Sequence, residues 1–222
     1  MKVGLAVIAG VVALATTAGC KSKYVVHVNG FLNQDRAEQV QPGACIAVAK
    51  NEAVVNALLE SETRRRIEKL LLARGYTICS REKADYELRF RYNMDGGRTI
   101  LRDRVVHEPG HTVRVLTHEG GADSYSSYYV PGSTRWVTDA ETVYGCWLML
   151  ELYDARGDGG ESADDKPLWV GEMAASSRAP DLREMVGPML LSGFEYFGRD
   201  TGKRVTIVVP RSDPGLLELL GE

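Results

Sequence analysis

Thr142-Val143-Tyr144-Gly145-Cys146-Trp147-Leu148-Met149-Leu150-Glu151-Leu152-Tyr153-Asp154 is the strongest strand signal in the chain. Cys146, Leu148, Leu150 and Leu152 alternate onto one face, while Trp147, Met149 and Tyr153 make the other face partly apolar. A strand apolar on both faces belongs near the centre of a sheet. Its partners lie on either side in sequence. Downstream, beyond a glycine- and acid-rich loop over 155–166, the stretch 167–175 with Leu168-Trp169-Val170-Gly171 returns as a hairpin partner. Upstream, 85–92 alternates: Tyr86, Leu88, Phe90 and Tyr92 point one way, and Glu87, Arg89 and Arg91 the other. That is a sheet strand with one wet face.

Two helices complete the pattern. Asn51 is the expected cap of a helix over 52–74, with Gly75 as its C′ residue. Val55, Leu58, Leu59, Ile67, Leu70 and Leu71 recur at helical spacing as one apolar stripe. Arg64-Arg65-Arg66 falls mostly off that stripe and reads as a solvated face offset by Glu60, Glu62 and Glu68; the competing reading is contact with anionic lipid. Short apolar strands over 44–49 and 76–79 flank this helix. Pro180 suits the first position of a second helix, in which Leu182, Met185, Val186, Met189, Leu190, Phe194 and Phe197 lead to Gly198. Pro188 is expected to kink or split it. A strand over 24–28 precedes a polar loop over 29–43, and a last strand over 204–209 precedes a frayed stub over 216–220. The fold class is therefore α+β: a single domain over 24–209, mostly antiparallel sheet with two amphipathic helices packed on one face, then a C-terminal tail over 210–222.

The remaining segment is less regular. A glycine-bearing turn over 93–98 leads to Val105-Val106 and Val113-Arg114-Val115-Leu116, which read as a hairpin turning at Glu108-Pro109-Gly110. The stretch 120–138 is rich in Gly, Ser and Tyr and carries Tyr125, Tyr128, Tyr129 and Trp136. Aromatics among small polar residues are the composition of adaptable binding loops, which makes these four the candidate partner-binding residues. The same composition also fits an irregular strand whose tyrosines cover a sheet edge.

The N-terminus addresses the chain. Lys2 precedes an uncharged run from Val3 to Gly19 that ends at Cys20. A basic start, a short apolar stretch and a small-residue exit fit a secretory signal peptide over 1–19. Thr17-Ala18-Gly19-Cys20 resembles the lipobox of bacterial lipoproteins, with threonine where leucine is usual. That resemblance implies Cys20 as the lipidated N-terminus, 20–23 as a tether, and a place in the cell envelope, on the periplasmic face of the outer membrane where there are two. An uncleaved N-terminal anchor is the alternative, and either way the rest is exported. Without 1–19 the chain loses one positive charge from its net −3, leaving −4, unlike the basic footprint of a nucleic-acid binder. Export permits one disulfide among Cys45, Cys79 and Cys146. Cys45 and Cys79 sit on the strands flanking the first helix, and a strand-helix-strand unit tends to set such strands side by side. The expectation is a Cys45–Cys79 bond and a free, buried Cys146.

No chemistry of catalysis emerges. His107, His111 and His118 form the one histidine cluster, but Pro109-Gly110 keeps His107 and His111 off a shared helical face; meeting across the hairpin is the arrangement left to them. Asp154, Asp158, Glu161, Asp164 and Asp165 lack the order of a calcium loop, and Gly157, Gly159 and Gly160 lack the lysine and helix of a phosphate loop. The expectation is no metal, no cofactor and no catalytic residue.

Several stretches resemble a large family of bacterial lipoproteins with a small uncharacterised periplasmic domain. They are Leu70-Leu71-Leu72-Ala73-Arg74-Gly75-Tyr76, Ala84-Asp85-Tyr86-Glu87-Leu88, Leu152-Tyr153-Asp154 with Leu168-Trp169-Val170-Gly171, and the closing helix. The likeness covers roughly 44–92 and 142–198 and implies a two-helix α+β sandwich without known catalysis; 93–141 is longer and more aromatic than that family suggests. The resulting expectation is a membrane-anchored binding or assembly module with an envelope-protein or cell-wall partner. A purely structural lipoprotein and an envelope hydrolase are the alternatives.

Overall fold

The computed structural model describes residues 23–34, 40–50, 56–119, 122–155 and 166–221. The signal peptide, Cys20, Asn51, Val55 and the acidic stretch 156–165 lie outside the described residues. In chain order the elements are β1 (Lys23–Leu32), β2 (Cys45–Val48), α1 (Ala57–Ala73), β3 (Thr77–Ile78), β4 (Tyr86–Met94), β5 (Arg98–Glu108), β6 (His111–Glu119) and β7 (Ala122–Val130). They continue with β8 (Ser133–Asp154), β9 (Trp169–Ser177), α2 (Leu182–Phe194), β10 (Val205–Pro210) and α3 (Pro214–Leu220).

The inner half of β8 is the sheet's axis. Leu152↔Trp169 through Tyr144↔Ser177 pair it antiparallel with β9, and Tyr86↔Asp154 through Met94↔Cys146 pair it antiparallel with β4. The strand order β10-β1-β9-β8-β4-β2-β3 puts it in the middle, as its two-sided apolarity requires. β2 runs parallel to both β3 and β4, and the remaining pairs are antiparallel. One face of this sheet is buried: Val26, Val28, Leu88, Phe90, Leu148, Leu150, Leu152 and Met173 meet Ile67 and Leu71 of α1, Val186, Met189, Leu190 and Phe194 of α2, and Leu219 of α3 in one core. Trp169 fills a dimple in that face. Gly30 and Gly171 oppose each other across β1 and β9, and a Cβ on Gly171 would lie 2.3 Å from the indole. The indole Nε1–H donates to the Arg199 carbonyl at 2.9 Å. Gly30 therefore lies inside a strand that runs on to Leu32, rather than opening a loop.

The helices differ from expectation in three ways. First, α1 begins at Ala57, where the Asn56 side chain accepts from the Leu58 and Leu59 amides at 3.1 Å. Leu58 is 83% exposed, and the buried side of α1 carries Glu60, Thr63 and Arg66 beside Ile67 and Leu71. Arg66 is thus no part of a solvated face. Its guanidinium meets Glu62 at 2.6 Å, and Glu62 also holds Arg183 of α2 at 2.8 Å, so the buried charge is compensated. Second, α2 is capped by Asp181 rather than started by Pro180, and it is neither split at Pro188 nor continued to Gly198. Pro188 is buried and withholds a donor only from the Glu184 carbonyl one turn back. Third, the stub is a third helix: Asp213 caps α3, and Leu216 and Leu219 are buried beneath it. Gly75, at φ +83, closes α1 in the left-handed conformation expected of a C′ residue.

Cys45 and Cys79 are disulfide-bonded, with Cα atoms 5.8 Å apart, and Cys146 is free and buried. The reason is the pairing Cys45↔Thr77 and Ile46↔Ile78, which sets β2 and β3 side by side around α1.

Candidate functional site: a projecting β-arm

β8 is 22 residues long, and only its second half belongs to the sandwich. Its first half pairs with β5, from Arg98↔Val143 to Glu108↔Ser133. The same register continues in β6 and β7, from His111↔Val130 to Glu119↔Ala122. Paired numbers add to one constant throughout, so residues 98–119 and 122–143 form one long two-stranded ribbon rather than two hairpins. At about 3.3 Å per residue it reaches up to roughly 70 Å from the sheet.

This corrects three expectations. Glu108-Pro109-Gly110 is not a hairpin turn, because β5 pairs with β8 and β6 with β7 rather than with each other. The stretch 122–138 is not a loop, because it contains β7 and the start of β8; its tyrosines lie on a strand, yet they are exposed rather than laid over a sheet edge. His107 and His111 follow one another along a single ribbon strand and do not meet across it, and His107 Nδ1 instead contacts Thr134 Oγ1 at 2.7 Å. Among the described residues no three potential ligands gather into a metal site.

Two joints interrupt the ribbon. At its base, Asp95-Gly96-Gly97 oppose Tyr144-Gly145, three residues against two, which is a bulge. Asp95 Oδ1 braces it, accepting from the Gly97 amide at 3.0 Å and the Gly145 amide at 2.8 Å. Gly97 sits at φ +80, and a Cβ there would lie 2.7 Å from the Tyr144 ring. Halfway out, Pro109-Gly110 faces Pro131-Gly132. Neither proline can donate to the ladder, and a Cβ on Gly132 would come within 2.5 Å of the Glu108 carbonyl.

The inner half of the ribbon is two-faced. Alternation and register place Arg102, Arg104, Glu108, Arg135, Asp139 and Glu141 on one side. These pair among themselves: Arg104 with Asp139, Arg135 with Glu108 at 2.9 Å, and Arg102 with Glu141 at 3.5 Å. The opposite side carries Trp136 directly across from Val105, and Ala140 across from Leu101. Trp136 is 75% exposed and Leu101 68%. The outer half exposes apolar groups on both sides, with Tyr125 opposite Leu116 on one and Tyr128 opposite Val113 on the other. Tyr125 is 73% exposed and Tyr129 66%. All four aromatics read from the sequence therefore lie on this arm. Tyr125, Tyr128 and Tyr129 share its outer half, and Trp136 stands apart on the inner half.

Leu101 and Val105 belong with Trp136 and were not singled out by sequence reasoning. The signal was there: Pro109-Gly110 and Pro131-Gly132 are equidistant from Gly120-Gly121, as the two strands of one hairpin require. A second depression lies on the sheet face away from the helices, where Arg81, Arg89 and Arg91 stand over Glu87 and Glu151. Arg89 and Arg91 each reach a carboxylate at 2.8 Å, and the Arg89 guanidinium also stacks on Tyr153 at 4.2 Å, so these cations are already matched.

No protein-family model matches the chain, and no curated protein matches it. Among solved structures it is similar to a PDZ domain protein from Parabacteroides distasonis, at 16% identity and a TM-score of 0.49. That likeness covers 85% of this chain and 39% of the other, so the chain spans well under half of that protein's length. It is also similar to the PelC dodecamer from Paraburkholderia phytofirmans, at 11% identity and a TM-score of 0.39, over 79% of this chain and 99% of that one.

Proposed function

We propose that this chain is a non-catalytic binding or assembly module of the cell envelope, anchored to a membrane through lipidated Cys20 and engaging its partner with the arm. The observation that carries this reading is the ribbon over 98–119 and 122–143, on one face of which Trp136 with Val105, and Leu101 beyond the Asp103–Thr138 pair, are exposed apolar side chains with no cover among the described residues. Buried aromatic anchors dominate binding energetics, and an exposed tryptophan on a projecting ribbon is positioned to become one. The Cys45–Cys79 bond supports export, since disulfides persist in oxidising compartments. Two or three acyl chains on Cys20, at about 0.8 kcal/mol per buried methylene, give lasting attachment where one would not. β1 begins at Lys23, so the tether is short and the arm, rather than a flexible stalk, supplies the reach. With no aspartate following Cys20, the outer membrane is the favoured site where two membranes exist.

A photoreactive amino acid at position 136, activated in intact cells, tests the partner. A discrete crosslinked product that disappears when the probe sits on the opposite ribbon face, at Val137, supports the reading. Products of equal yield from both faces overturn it. Intact mass tests the anchor: loss of 1–19 with acyl mass on Cys20 is expected, and a Cys20→Ala chain that is still processed at the same bond and still membrane-bound refutes it.

A further inference from the structure

We infer that the outer half of the arm pairs with the outer half of a second copy of this chain, edge to edge along β7, so that two hairpins become one four-stranded sheet. This rests on reading the arm as the binding element and names what its outer half binds. β6 and β7 form a sheet of two strands only, so the far edge of β7 has no neighbouring strand among the described residues. A lone two-stranded hairpin is marginal in water, and this one has exposed apolar side chains on both faces with no other element packed against them among the described residues.

Charge singles out the β7 edge and its occupant. Exposed edges are normally guarded by charged side chains that repel a second strand. β5 is guarded by Arg98, Arg102, Asp103, Arg104 and Glu108, β6 by Arg114, and the outer half of β8 by Arg135, Asp139 and Glu141. From Ser124 to Thr134, eleven residues, there is no charge at all. An edge that meets its own copy places like residues near like, so an uncharged edge is the one that accepts self-pairing.

The register is also self-complementary. A two-fold axis perpendicular to an antiparallel sheet requires directly opposed residues of the same parity, since side chains alternate between faces. With the axis at Ser127, Tyr125 stands opposite Tyr129 of the second copy, and Tyr129 opposite Tyr125 of the second copy. Each ring then gains an aromatic cross-strand neighbour, the kind of pair that stabilises sheets. Pro131 lacks an N–H and ends the new ladder at the mid-arm joint. About seven residues per copy make a small interface, so the association is concentration-dependent rather than obligate.

The mature, detergent-solubilised full chain tests this with single cysteines. Ser127→Cys faces itself across the axis, inside the ~4.4–6.8 Å Cα range that a disulfide accepts; Thr112→Cys, on the opposite edge, does not. Cys45 and Cys79 are already bonded, and Cys146 is buried with its thiol pushed up to about 11, so neither competes. Mild oxidation is expected to give a covalent dimer from Ser127→Cys and not from Thr112→Cys. Ser127→Lys, which opposes two lysines at the axis, is expected to weaken self-association in sedimentation by about tenfold or more. Equal crosslinking from both cysteines, or a chain that sediments as a monomer at every concentration, overturns the inference. If the position-136 envelope product persists while the chain stays monomeric, self-pairing fails and the binding reading stands. If dimers form without that product, the reverse holds.

Discussion

The inner and outer halves of β8 alternate alike and meet different surroundings. Leu148, Leu150 and Leu152 are buried under three helices, whereas Trp136, on the same side of the same strand, is 75% exposed. Alternation therefore marks a strand without saying what covers it. The sandwich gains its stability from a covered face. The arm holds its shape through local pairing, the charged ladder of Arg104–Asp139 and Arg135–Glu108, and two glycine joints, and it leaves its apolar side chains available.

The largest effect expected from breaking this contrast is in the core. Trp169→Ala removes the indole that fills the Gly30–Gly171 dimple and is expected to cost about 3–5 kcal/mol in urea denaturation. Trp136→Ala is expected to stay within about 0.5 kcal/mol, as for a surface change. Comparable losses from both would mean the arm is packed. Next, Cys45→Ser with Cys79→Ser opens a loop closed across 34 residues and is expected to cost roughly 3 kcal/mol, all of it in the sandwich. An unchanged denaturation midpoint would show the bond carries no constraint.

A smaller effect follows from Cys146. Burial, with Asp95 at the arm's base contributing second, pushes its thiol from 9.0 up to about 11. The folded state then holds a proton that the unfolded state has released, so stability is unaffected below pH 9 and falls between pH 9 and 11, by up to about 1.4 kcal/mol per pH unit. Cys146→Ala, compared with the natural chain over that window, isolates the contribution; parallel pH profiles would dismiss it. A small effect is also expected from cutting the arm. Replacing 109–132 with Asn-Gly joins Glu108 to its partner Ser133 through a favoured two-residue turn. Because none of the described residues of the removed half belongs to the core, thermal unfolding should shift by no more than a few degrees. A cooperative loss of the sandwich would tie the two regions together.

What was legible in the sequence follows from period. The central strand, its partners β4 and β9, the alternating inner face and the Gly75 helix end were all readable because the buried residues recur at two or at three to four positions. The disulfide was readable because a strand-helix-strand unit brings its two strands together. The four aromatics of the arm were picked out by composition, and their placement on a ribbon was not, because Gly and Pro at 109–110 and 131–132 carry the usual marks of turns. Here they interrupt a ribbon whose register continues on both sides, and only pairing with the opposite strand distinguishes the two uses.

Sequence by itself determined the regularly alternating strands at the centre of the sheet and which of their faces are apolar, since side-chain periodicity is a local property of the backbone. Tertiary structure alone decided which apolar faces are covered. Arg66 reads as solvated until Glu62 and α2 close over it, and Gly30 reads as a break until Trp169 needs its missing side chain. Pro109-Gly110 reads as a reversal until Pro131-Gly132 stands opposite. Each outcome depends on a partner far away in sequence, and burial is a property of the pair.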